Sequence, residues 1–141
     1  MADNTIQQEI NHAIIEFYER LSSWEQSVVR DQGVSLAQIH AVEILGAHGA
    51  LRMKSLAEKL GVTTGTLTVL IDRLVNNGLV SRQAAEGDRR AIEVMLTDAG
   101  RKMFEEHDQL HLQLTKEMLV TLDDDECQQF LQFLKKINAA F

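Results

Sequence analysis

Three groups of residues in this 141-residue chain have types and spacings that could carry chemistry. His107 and His111 are four apart in a stretch with helical periodicity, so both imidazoles fall on one face and can hold a single ion. They lie on or beside the apolar stripe Met103, Leu110, Leu114 and Met118, which turns them toward other helices. Such a pair needs partners, because an unsatisfied buried polar group costs roughly 1–3 kcal/mol. The same spacing also suits two imidazoles that only hydrogen-bond in a core. A second group is basic: residues 52–90 carry Arg52, Lys54, Lys59, Arg73, Arg82, Arg89 and Arg90 against Glu58, Asp72, Glu86 and Asp88. That segment is +3 inside a chain of net charge −7, and the remainder is −10. A local basic patch of this kind draws phosphates, while the acidic flanks repel them elsewhere. The third group is the edge Thr63, Thr64, Gly65, Thr66, Thr68 and Val69, whose threonines offer hydroxyls for base edges or phosphate and methyls that can contact thymine.

Enzyme chemistry finds little support. Glu106 beside His107 and His111 invites a metal-dependent hydrolase as the remote alternative, but no His-Glu-x-x-His order exists. No nucleophile motif surrounds a serine or Cys127, and no glycine-rich phosphate loop occurs. A single cysteine excludes a disulfide framework within the chain and fits a reducing compartment. Cys127 as a redox sensor is disfavoured by its place on an apolar seam, since buried thiols are usually inert. No apolar run approaches the roughly 18–20 residues that span a bilayer, and the start MADNTIQQEI lacks a basic and apolar leader. The expectation is a soluble, cytoplasmic protein with no membrane partner.

The elements that must position these groups are mainly helical. Ile10, Ile14, Phe17, Leu21, Trp24 and Val28 form a heptad seam, and Cys127, Phe130, Leu134, Ile137 and Phe141 form another. Narrow seams at both ends favour a homodimer, with Ile10, Ile14, Phe17, Phe130, Leu134, Ile137 and Phe141 as dimerisation residues. Ser35 with Gln38 forms a capping box for a helix to about Ala47, ended by Gly46 and Gly49. Met53–Leu60 is a short helix stopped by Gly61, and Thr63 caps a helix to Asn77 with Leu67, Leu70, Ile71 and Leu74 inward. These two helices and their tight turn make a helix-turn-helix. Residues 79–83 and 91–96 read as two strands, the second with Ile92, Val94 and Leu96 on its inner face, joined by a loop too long for a tight turn. Thr97 caps a helix to about Thr121, and Asp123 with Glu126 caps the last one. The fold class is thus mainly α with a small β-hairpin: a winged helix-turn-helix plus long terminal dimerisation helices. Residues 1–34 form the first dimerisation helix, 35–97 the DNA-binding lobe and 98–141 the second dimerisation element, as one continuous domain.

With these strings in this order, the chain resembles the MarR family of bacterial transcriptional regulators. The carriers are Ser55-Leu-Ala-Glu-Lys-Leu-Gly-Val62, Thr68-Val-Leu-Ile-Asp-Arg-Leu74, Asn77-Gly-Leu-Val80, Gly87-Asp-Arg-Arg90 and Leu96-Thr-Asp-Ala-Gly100. The resemblance implies a homodimer that represses nearby genes from a pseudo-palindromic operator in double-stranded DNA. Its DNA-binding residues would be Lys54, Thr63, Thr64, Thr66, Thr68, Arg73, Arg82, Asp88, Arg89 and Arg90. It further implies an ion pair between Asp72 and Arg90 that fixes the wing and leaves Arg89 for DNA. Arg73 has two readings, a phosphate contact or a pair with a neighbouring acid.

The family responds to phenolic anions, oxidants or metals, so its name does not choose the effector. In its zinc-uptake repressor branch the metal is held by a glutamate of the first helix, one histidine of the second and two of the long fifth helix. Glu25, His40, His107 and His111 match those positions, which implies zinc as the cofactor. The alternative is a repressor released by a small aromatic or anionic ligand near Phe17, Arg20, Trp24 and His40, with the histidines purely structural.

Overall fold

The computed structural model describes residues 3–141 in two compact units, one ending at Phe104 and the other Glu105–Phe141. The first contains α1 (Asn4–Gln32), α2 (Leu36–His48), β1 (Leu51–Arg52), α3 (Met53–Leu60), α4 (Thr64–Asn76), β2 (Val80–Ala85) and β3 (Asp88–Leu96). Helix α5 follows over Asp98–Met118, a 3-10 turn over Leu119–Thr121, and α6 over Asp124–Ala140. No helix among the described residues is long and apolar enough to cross a membrane.

Helix starts follow their capping residues. Asp3 accepts the Thr5 amide ahead of α1. Ser35 and Gln38 exchange both bonds of a capping box ahead of α2, and Asp123 and Glu126 do so ahead of α6. Thr63 Oγ1 accepts the Thr66 amide at 3.2 Å ahead of α4. The core of the first unit is built on Ile39, Val42 and Leu45 of α2, Leu56 of α3, Leu67, Ile71 and Leu74 of α4, and Val94 of β3, all essentially without exposure. This is the inward stripe the sequence assigns to α4, with Leu70 half-buried beside it.

The sheet has order β1-β3-β2 and is antiparallel throughout. Its first strand is unforeseen, because two residues, Leu51 and Arg52, paired with Val94 and Glu93, leave no periodic signal. The hairpin also corrects an expectation. β2 and β3 run on to pair Ala85 with Asp88, so the connection shrinks to Glu86-Gly87, with Gly87 at φ +81°. Ile92, expected inside, is 48% exposed, while Val94 is buried.

Two glycines act by close approach rather than by ending helices. Gly46, expected to stop α2, lies inside it, where a Cβ would overlap the Phe104 ring. Gly100 lies in the first turn of α5, where a Cβ would overlap the Leu79 carbonyl.

Candidate nucleic-acid interface and effector residues

Because α4 buries Leu67, Ile71 and Leu74, it turns the opposite face outward, and Thr64, Gly65, Thr66, Thr68 and Val69 are all exposed. The expected edge therefore exists as a surface. Two of its hydroxyls are committed locally: Thr63 Oγ1 donates to Thr66 Oγ1 at 3.1 Å, and Thr68 Oγ1 donates to the Thr64 carbonyl at 2.8 Å. Lys54 on α3 and Arg73 on α4 are exposed as well, and no ion pair among the described residues involves either.

The hairpin carries the other cations. Its register jumps from Ala85 opposite Asp88 to Ala84 opposite Ile92, which leaves Arg89, Arg90 and Ala91 without partners on β2. In a regular strand, consecutive arginines would point to opposite faces. The irregularity frees them from that alternation, and both are exposed. Asp88 Oδ1 accepts the Arg90 amide at 3.0 Å, an Asx turn that holds the irregular segment. Asp88 thereby holds the Arg90 backbone.

Comparisons with known proteins give the interface its context. The sequence profile described as the MarR family matches residues 34–92. An uncharacterized HTH-type transcriptional regulator of Bacillus subtilis, YfiV, is 34% identical over 108 residues, covering 76% of this chain and 67% of that protein. The chain belongs to the MarR family. The HTH-type transcriptional repressor MdtR of the same organism is 38% identical over 88 residues, covering 62% of this chain and 54% of MdtR. The crystal structure of Streptococcus pneumoniae FabT in complex with DNA superposes with a TM-score of 0.83 at 21% identity, covering 94% and 95% of the two chains. The fold is the MarR winged helix-turn-helix, and the relatives are transcriptional regulators rather than enzymes.

Within this MarR-family fold, the wing is anchored differently from expectation. Asp72 of α4 bonds the Arg82 guanidinium of β2, and Arg90 takes no part. The reason is placement: Arg82 lies in the regular part of the ladder, opposite Val94, whereas Arg90 lies in the irregular segment near the tip. Arg82, expected at DNA, thus has its guanidinium on Asp72.

The four residues expected to hold a metal form two pairs. In the first unit, His40 Nε2 stands 3.4 Å from Glu25 Oε2. In the second, His107 and His111 set their Nε2 atoms 3.1 Å apart, with ring centroids separated by 4.7 Å at 71°. His107 is buried and His111 half-buried. At 3.1 Å one imidazole donates to the other. Two nitrogen ligands on one tetrahedral zinc would stand roughly 3.3 Å apart, so the observed separation suits either a hydrogen bond or a shared ion. Cys127 of α6 is half-buried and lines an apolar cleft with Leu119, Phe130 and Leu134, as its seam position suggests.

Proposed function

We propose that this MarR-family regulator is a cytoplasmic, homodimeric repressor that reads a pseudo-palindromic operator with α4 in the major groove and its wing on the flanking backbone. The observation that carries this reading is the pair of exposed arginines on an irregular wing, beside a recognition helix whose outer edge is exposed. Lys54, Thr63, Thr64, Thr66, Thr68, Arg73, Arg89 and Arg90 are its contacts, with Arg82 and Asp88 positioning the wing. FabT, with the same fold, binds DNA, and MdtR is a repressor. Homodimer formation is supported by uncovered apolar faces: Ile10, Ile14 and Phe17 on α1, and Phe130, Leu134, Ile137 and Phe141 on α6, are each at least 40% exposed in the single chain. Selection from a random duplex pool tests the reading. The expected product is an enriched site with two inverted half-sites about 10 base pairs apart, centre to centre. No enrichment would sink the DNA reading, and a solitary half-site would sink the dimer.

Zinc is the effector this reading takes, with His107 and His111 as its ligands in the second unit. The metal would supply Lewis-acid coordination to neutral imidazole. An effector raises DNA affinity only by as much as it prefers the DNA-competent arrangement. Titration of the stripped protein against a chelating dye is expected to give one tight Zn²⁺ site per subunit, abolished in His107→Ala and in His111→Ala.

A second reading rests on a cleft of about 440 Å³ in the first unit, lined by His40, Leu60, Val62, Val69, Leu70 and Arg73 among others. A small aromatic anion would set its charge on Arg73 and its body on the apolar wall, competing directly with phosphate for that guanidinium. Absence of a tight zinc site, with a thermal shift induced by hydroxybenzoates, would favour this effector instead.

A further inference from the structure

The outermost part of the exposed face of α4 carries no hydrogen-bonding side chain. At 100° per residue, the direction opposite Leu67, Ile71 and Leu74 falls between Gly65 and Val69, one turn apart. Val69 is 53% exposed, an apolar side chain at the apex of the helix's outer face. Gly65 has nothing closer than 4.0 Å to the position of a Cβ, and its missing side chain lets the helix approach base edges closely. On the flank, the Thr68 hydroxyl is turned back onto the Thr64 carbonyl, which leaves its methyl as the outward group. The Thr63 hydroxyl is likewise spent, accepting the Thr66 amide and donating to Thr66 Oγ1. No arginine, asparagine, glutamine or lysine occurs between Thr63 and Asp72, so the side chains that bond purine edges bidentately are missing from the first two turns.

We infer that Val69, with the Thr68 methyl beside it, is a specificity-determining residue that reads the 5-methyl groups of thymines in the major groove. The inference rests on the DNA-binding reading above and names the chemistry of its site: a thymine-containing half-site recognised by apolar contact. A buried methyl contact contributes about a fourfold change in affinity, and thymine differs from uracil by that methyl alone.

The test uses the full-length protein and the duplex enriched by selection, with each half-site thymine replaced in turn by deoxyuridine. Wild type is expected to lose about fourfold in affinity at one or two thymines per half-site. Val69→Ala, an exposed change that leaves the core intact, is expected to bind the thymine and uracil duplexes within twofold of each other at one of those positions. Equal wild-type affinity for all thymine and uracil duplexes overturns the inference while leaving the DNA-binding reading standing. A thymine preference that persists unchanged in Val69→Ala also overturns it, since another group would then be the reader. Failure to enrich any duplex is a different result, and counts against the DNA-binding reading itself.

Discussion

Gly100→Ala is expected to destabilise the protein by about 3 kcal/mol, lowering the thermal midpoint on the order of 10 °C. A Cβ at this position would overlap the Leu79 carbonyl oxygen, with Leu96 Cδ2 a further 3.2 Å contact. The obstacle is backbone, and it is held: the Leu79 carbonyl accepts the Thr97 amide at 3.1 Å. Thr97 in turn donates its hydroxyl to the Gly78 carbonyl at 2.6 Å and accepts the Gly100 amide at 3.1 Å. A methyl must therefore push apart the junction that ties the end of β3 and the start of α5 to the loop before β2. The usual gain from alanine in a helix, up to about 1 kcal/mol, does not offset this. Gly65→Ala is the matched control, because its surroundings are open, and it is expected to melt at or above the wild-type midpoint. Circular dichroism melts decide the matter, and an unshifted midpoint for Gly100→Ala would contradict the packing.

The double variant Arg89→Ala/Arg90→Ala is expected to lose about 100-fold in operator affinity near 0.1 M salt. Its salt dependence should flatten by about 1.8 in the log–log slope, the release of two phosphate contacts. Each single variant should lose about tenfold and flatten the slope by about 0.9. Had Arg90 been paired with Asp72, its removal would have loosened the wing and left the slope nearly intact. With Asp72 on Arg82 instead, the two arginines should behave alike. A large affinity loss in Arg90→Ala at unchanged slope would restore a wing-fixing role for that residue. The Asp72–Arg82 pair is partly exposed, at 55% and 33% of the respective side chains. Screening by water then limits its coupling in a double-mutant cycle to below about 1 kcal/mol.

Much of the fold is legible because its determinants are local. Ser35 with Gln38, Thr63, and Asp123 with Glu126 bond amides within three residues of themselves, so the string alone marks the helix starts. Periodicity assigns Leu67, Ile71 and Leu74 to the core because a helix fixes which residues share a face. The outer edge of α4 follows by subtraction. The same logic fails for the wing, where strand register depends on a partner chain segment. A continuous-loop reading of residues 84–90 misses that β2 and β3 extend to Glu86-Gly87 and then slip. Val69 is visible in the sequence as an exposed edge residue, whereas the commitment of the Thr63 and Thr68 hydroxyls is visible only in the structure.

The sequence by itself determined the family, the order of elements, the inward stripe of the recognition helix and the basic centre of an acidic chain. These rest on residue type and on spacings of three or four, which the backbone converts directly into faces and caps. Tertiary structure alone decided that Asp72 bonds Arg82, that Gly46 and Gly100 exist to admit Phe104 and the Leu79 carbonyl, and that Arg89 and Arg90 leave the ladder together. Each is a contact between segments distant in the chain or a register between strands. Its free energy depends on distances that no local periodicity encodes.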